Sequence, residues 1–239
     1  MAEKSQHTIH SGTSGPRKGI ENKYLRGTNL YQVVLELQEK LFEANLAAKT
    51  LGRPTTNTLI ICEHTPTYTL GKSGDEKNLL FRPEAVGAAF HKVSRGGDIT
   101  YHGPGQLIAY TLVDLRRRNM GIRPYVCELE GVLIDTLAHY HIQAKRRPGA
   151  PGVYVNEAKI ASLGLRVRHG RAYHGIALNV AMDLEPFSRI HPCGLKELKV
   201  AQVRDFVPDI TLPDVNQTFV DTFCRRLGYN IPLAQKTTL

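Results

Sequence analysis

The chain has 239 residues, 41% of them hydrophobic and 7% aromatic, with no tryptophan, which is enough to bury a sizeable core without disulfide or metal staples. Its longest apolar runs, such as TLII at 58–61, are far too short to cross a bilayer, and the N-terminal stretch lacks the apolar run of a secretory signal. The expectation is therefore a cytoplasmic protein with no membrane partner. A net charge of +9 points to an acidic partner, either a nucleic acid or a small acidic carrier protein.

Residues 1–22 are rich in Ser, Gly, Lys and His without periodicity and read as a flexible tail. A helix pattern follows, with Asn29 as N-cap, Gly52 as stop, and Leu30, Val33, Val34, Leu37, Leu41, Ala44 and Ala48 on one stripe. NTLIICEH reads as a buried strand, and TPTYTLGKSGDEKNLL as a strand and a polar turn. HKVSRGGDITYHGPGQLIAYTLVDL, residues 91–115, has two strand-like ends around a glycine-rich middle. Residues 124–142 read as a helix opened by Pro124, with Val126, Leu129, Leu133 and Leu137 on one face. GVYV, KIASLGLRVR and YHGIALNVAM alternate like three antiparallel strands joined by short turns, and DVNQTFVDTFCRRLG is a final helix carrying Val215, Phe219, Phe223 and Leu227. The order of elements predicts one α+β domain over residues 23–239, a mixed and mostly antiparallel β-sheet flanked by α-helices.

Several familiar motifs fail. GKS at 71–73 would end a phosphate loop, but the required glycine five residues earlier is Pro66. Among four cysteines, Cys62, Cys127, Cys193 and Cys224, no CxxC pair occurs, and ten histidines show no HExxH spacing. Neither a metal nor a cofactor is expected. Cys62 falls in an apolar strand and Cys127 and Cys224 in helices, as core or boundary residues. No basic–aromatic cluster supports nucleic acid.

Two segments carry chemistry. RGGDITYHGPGQ, residues 95–106, is compatible with a pair of tight turns or with the wall of a pocket for an elongated ligand. Gly96 and Gly97 let backbone approach closely, and Tyr101, His102 and Gln106 add polar groups. Lys159 opens a strand on the same alternating face as Ala161, Leu163, Leu165 and Val167, an apolar setting for an ammonium. Cys193 stands between Pro192 and Gly194, at a bend that presents its thiol rather than burying it as filler.

RGGDITYHGPGQLIAYTLVDL, PGVYVNEAKIASLGLRV, HGIALNV and RIHPCG, in this order, together resemble the lipoyl(octanoyl) transferase family of lipoic acid biosynthesis over about residues 24–228. The segment after the cysteine, KELKVAQVRDFVPDI, departs from that likeness and has no assigned role. The resemblance implies the fold of biotin and lipoate protein ligases. It implies transfer of an octanoyl group from acyl carrier protein to a lysine of lipoyl domains, those of 2-oxoacid dehydrogenase complexes and of the glycine cleavage H protein. It further implies a thioester on Cys193 paired with Lys159. Substrate contacts are implied at Arg95, Gly96, Gly97, Asp98, Ile99, Thr100, Tyr101 and His102, at Ser162, Leu163 and Gly164, and at Gly175, Ile176 and Ala177.

The chemistry is sound on its own terms. A free thiol with a pKa near ~8.5 is only a few per cent ionised at pH 7. An ammonium about 4 Å away at an effective dielectric of roughly 20 interacts by about 4 kcal/mol. Half of that lowers the thiol pKa by roughly 1.5 units. Passing an acyl group from thioester to thiol to amine runs downhill without ATP. Either Lys159 or His102 is a candidate for the base that receives the amine's proton.

Overall fold

The computed structural model describes residues 19–192 and 198–230, so Cys193 lies outside the described residues. Ten strands and three long helices run in the order β1 (Glu21–Asn29), α1 (Tyr31–Thr50), β2 (Thr58–His64), β3 (Thr67–Leu70), β4 (Ala89–Lys92), β5 (Ile99–His102), β6 (Gln106–Asp114), α2 (Ile122–His139), β7 (Lys145–Arg147), β8 (Ala150–Val155), β9 (Ala158–Arg168), β10 (Arg171–Asn179) and α3 (Leu212–Leu227). Seven strands form one sheet in the order β1-β2-β6-β10-β9-β8-β7, and a small second sheet has the order β4-β3-β5. The pairs β1–β2 and β3–β4 are parallel and all others antiparallel, the mixed sheet expected.

Both faces of the large sheet are covered, which is why β6 and β10 are buried along all nine residues of each. On one face α2 and α3 pack through Leu129, Leu133, Leu137, Phe219 and Phe223 against Leu59, Leu107 and Ile176. On the other α1 packs through Val34 and Phe42 against Ile60, Ile108 and Tyr110. A third cluster, around Tyr68, Ile99, Tyr101 and Phe187, belongs to the small sheet.

Three features differ from the sequence expectations. Glu21 and Asn22, read as tail, open β1 and pair with Thr58 and Leu59. The strand is polar and lies at a sheet edge, so alternation alone does not reveal it. Leu30, not Asn29, is the N-cap of α1, and the helix buries Tyr31, Val34, Gln38, Phe42 and Asn45 while Leu30 and Val33 remain exposed. Two amides explain the rotated face: Gln38 Oε1 accepts the His174 N–H at 3.1 Å, and Asn45 Oδ1 accepts the Thr56 N–H at 2.8 Å. Finally, α2 starts at Ile122, so Pro124 is its third residue, still within the turn whose N–H groups have no helical acceptor.

The other ends follow local rules. Thr211 caps α3, its hydroxyl accepting the Asp214 N–H, and Gly228 ends the helix at φ 65°. Cys62 and Cys224 are buried, as expected of filler; Cys127 is exposed.

Candidate active site

A cavity of about 440 Å³ opens where the small sheet meets β9 and β10. That size falls in the ~300–1,000 Å³ range of small-ligand sites. Its wall includes Arg95 to Thr100, His102, Lys159, Ser162 to Gly164 and Gly175 to Ala177. Register explains the grouping: Gly175 pairs with Gly164, Ile176 with Leu163 and Ala177 with Ser162, so two sequence-distant tripeptides are cross-strand neighbours.

Two of these glycines are required by packing. A Cβ on Gly175 would stand 1.9 Å from Ala109 O, and one on Gly164 would stand 2.9 Å from Arg95 Cδ and 3.1 Å from Gly96 O. The Arg95–Gly97 loop lies over β9 at Gly164, held by Gly96 N–H donating to Leu165 O at 2.9 Å. Asp98 braces the loop, accepting from Ile99 N–H and from the Asn78 side chain.

Tyr101 is the one residue of the implied contact set that does not line the cavity. Its ring packs against Tyr68 and Phe187, at centroid distances of 5.0 and 5.8 Å. Alternation along β5 turns Thr100 and His102 to the cavity and Tyr101 to the core behind it.

Lys159 is buried, with 5% of its surface exposed, and its ammonium lies 5.7 Å from the centre of the Tyr154 ring. Space for the side chain exists because residue 152 is glycine: a Cβ there would meet Lys159 Cε at 2.6 Å and Nζ at 3.2 Å. Gly152 is held in turn by its N–H, which donates to Glu130 Oε1 of α2 at 3.1 Å. Pro192, the residue bonded to Cys193, also lines the cavity.

The polar interior around His102 has one consistent set of donors and acceptors. Gln106 Nε2 donates to Tyr101 O at 3.2 Å and Asn179 Oδ1 at 2.9 Å, leaving Gln106 Oε1 to accept from His102 Nδ1 at 2.9 Å. Arg95 donates through Nε and Nη2 to Thr69 Oγ1, at 3.2 and 2.8 Å, so the Thr69 hydroxyl gives its proton to His102 Nε2 at 3.3 Å. Both imidazole nitrogens are thus engaged by the protein. Burial, with His64 nearby, pushes the His102 pKa down to about 3.

Sequence reasoning missed several wall residues. Tyr31 reaches the cavity from α1, Ile108 and Tyr110 from β6, Ile122 and Val126 from α2, and His174 from β10. Tyr110 O–H donates to His64 Nε2 at 2.7 Å, whose Nδ1–H donates to Asn29 O at 3.0 Å. His174 takes φ 58°, uncommon for a non-glycine residue, because its N–H turns from the sheet to Gln38. Burial, reinforced by Arg95 and Arg166, pushes its pKa down to about 3. Ile108 and Tyr110 stand inside the RGGDITYHGPGQLIAYTLVDL block and His174 inside HGIALNV, whereas Tyr31, Ile122 and Val126 carried no such signal.

Among the described residues no group of three His, Cys, Asp or Glu side chains could hold a metal ion, and no helix is long and apolar enough to cross a membrane.

The architecture is that of the lipoate and biotin protein ligases. A putative lipoate protein ligase from T. acidophilum with bound lipoic acid superposes with a TM-score of 0.69 at 17% identity, covering 93% of this chain and 90% of that one. Biotin protein ligase from Aquifex aeolicus gives 0.51 at 13% identity, over 87% and 69% of the two chains. The chain belongs to the lipoyl protein ligase A/B catalytic domain family, whose model matches residues 30–224. Among its relatives, an octanoyltransferase from Hahella chejuensis is 48% identical over 182 residues, 76% of this chain and 80% of that protein. An octanoyltransferase from Legionella pneumophila is 53% identical over 165 residues, 69% and 81% of the two.

Proposed function

We propose that this chain is an octanoyltransferase of lipoate biosynthesis that works through a thioester on Cys193, with Lys159 as the group that activates the thiol. Octanoyl transfer is the activity its relatives carry by name. The observation that carries the mechanism is the buried Lys159 ammonium on a cavity wall that also includes Pro192, the covalent neighbour of Cys193.

The ammonium favours the thiolate. The thiolate attacks the thioester carbonyl of the donor, the tetrahedral intermediate expels the donor sulfur, which takes a proton from the Lys159 ammonium, and the octanoyl group remains on Cys193 beside a neutral Lys159 amine. A lysine amine of the acceptor then attacks this second thioester, the cysteine sulfur leaves, and an amide forms. The amine's proton goes to the enzyme. Lys159 is favoured over His102 for that task, because Thr69 and Gln106 occupy both His102 nitrogens and its low pKa disfavours the imidazolium. The apolar walls given by Ile108, Val126, Leu163 and Ile176 suit the alkyl chain, at about 0.8 kcal/mol per buried methylene.

The donor in this reading is octanoyl-acyl carrier protein, an acidic partner that fits the net charge of +9. The acceptors are lipoyl domains of 2-oxoacid dehydrogenase complexes and the glycine cleavage H protein.

The test is intact mass after incubation with octanoyl-acyl carrier protein in the absence of ATP. One octanoyl group is expected on the wild type and none on Cys193→Ala, and apo lipoyl domain is expected to discharge the adduct. Octanoyl reaching the lipoyl domain at the wild-type rate with Cys193→Ala would overturn the covalent route. A strict requirement for ATP would point to a ligase instead.

A further inference from the structure

The segment after the cysteine, which the sequence left without a role, makes direct contact with Lys159. At the start of β9, the Lys159 N–H donates to Lys199 O at 2.8 Å and Ala201 N–H donates to Lys159 O at 3.0 Å. Lys159 and Val200 thus form a parallel bridge. This strap fills a lane that β10 vacates: β10 ends at Asn179, and its last pair with β9 joins Leu178 to Ala161.

One side chain stands at that junction. The Asn179 Nδ2 donates to Ala201 O at 2.9 Å, so the residue whose N–H holds Lys159 is itself held through its carbonyl. Asn179 is 5% exposed, and its amide has no freedom to flip. Its Oδ1 is committed to Gln106 Nε2, because Gln106 Oε1 is taken by His102. A line of bonds therefore runs from Arg95 through Thr69, His102, Gln106 and Asn179 to the strap and the Lys159 backbone.

We propose that Asn179 is a positioning residue that fixes the register of the 199–201 strap on Lys159, and through it the approach of the Lys159 ammonium to the Cys193 thiol. The inference rests on the cysteine–lysine reading above. A slip of one residue moves a strap carbonyl by ~3.3 Å and turns alternate side chains to the opposite face. Such a step takes the Ala201 carbonyl beyond hydrogen-bond reach of Asn179 Nδ2, so the amide accepts one register and rejects its neighbours. Downstream, Gln202 Oε1 accepts the Met182 N–H at 2.7 Å and Arg204 N–H donates to Val180 O at 2.9 Å, which anchors the strap's far end to the exit of β10.

The experiment follows the pH dependence of iodoacetamide alkylation at Cys193, read on its own peptide so that exposed Cys127 does not interfere, with kcat, KM for octanoyl-acyl carrier protein and Tm measured alongside. The set is wild type, Lys159→Ala, Asn179→Asp, Asn179→Ala and Ala201→Pro. Asn179→Asp is nearly isosteric and keeps the acceptor for Gln106, but sets an oxygen against Ala201 O. Ala201→Pro removes the N–H that Lys159 O accepts from the strap side, after a residue already extended in the bridge.

The wild-type midpoint is expected well below the ordinary ~8.5 of a free thiol, and Lys159→Ala near it. Asn179→Asp and Ala201→Pro are expected to move the midpoint upward by about one unit and to lower kcat about tenfold, with KM within about twofold of wild type. Wild-type midpoint and kcat in a folded Asn179→Asp would overturn the inference, as would a change confined to KM. If Asn179→Ala does not fold, Asn179→Asp carries the comparison. A Lys159→Ala midpoint equal to that of wild type would instead sink the cysteine–lysine reading, and the inference with it.

Discussion

Acid is expected to destabilise this protein well before its carboxylates titrate, because three imidazoles are buried in neutral form. His64 is pushed from an ordinary value of 6.5 down to about 4, chiefly by burial with His91 adding to it. His102 and His174 fall to about 3, again chiefly by burial, with His64 acting on the first and Arg95 on both. Since each folded value lies below the unfolded one, stability is full above pH 6.5 and drains as pH falls toward 4 for His64 and 3 for the other two. Between pH 6 and 5, above all three folded values, the size of the loss is set by the unfolded value. At pH 5, ~1.5 pH units below the unfolded value, each unfolded imidazole is favoured by about 2 kcal/mol, at about 1.36 kcal/mol per unit. Three together give about 6 kcal/mol, against a total stability of about 5–15 kcal/mol for an ordinary domain. Urea melts from pH 7.5 to 5 measure this. Below pH 6 the slope is expected to approach three protons, about 4 kcal/mol per pH unit, and His64→Asn to reduce it by about one proton. Stability that stays level from pH 7.5 to 5 would refute the reasoning, because it would mean these imidazoles carry protons in the folded protein.

Two further outcomes test the packing. Gly152→Ala forces a Cβ to within 2.6 Å of Lys159 Cε at a backbone φ of 137°, so both overpacking and strain apply. The expected cost is about 2–5 kcal/mol, lowering Tm by about 5–15 °C, with Cys193 alkylation shifted toward the ordinary thiol range. Phe219→Ala, at a fully buried position of α3, is expected to cost about 3–5 kcal/mol in urea unfolding, and a loss below about 1 kcal/mol would contradict the close packing of α3 on the sheet.

The sequence by itself determined the class of the fold, and its resemblance to a known family pointed to most of the cavity wall. Leu129, Leu133 and Leu137 repeat at helical spacing and meet the sheet in α2, and Val215, Phe219, Phe223 and Leu227 do the same in α3. Gly164 and Gly175, which the resemblance implied as contacts, mark the crossing of β9, β10 and the Arg95 loop, where no Cβ fits. What apolar spacing cannot report is a polar side chain buried to satisfy another element's backbone. Gln38 and Asn45 turn α1 away from its leucine stripe because the N–H groups of His174 and Thr56 need acceptors. β1 stayed hidden for the related reason that an edge strand needs a partner's hydrogen bonds more than its own hydrophobicity. Tertiary structure alone decided which way each ring of ITYH faces, sending Tyr101 into the core and His102 to the cavity. It alone set Asn179, Ala201 and Lys159 in one line of hydrogen bonds, because those partners lie far apart in the chain and hydrogen-bond direction is a property of three-dimensional neighbours.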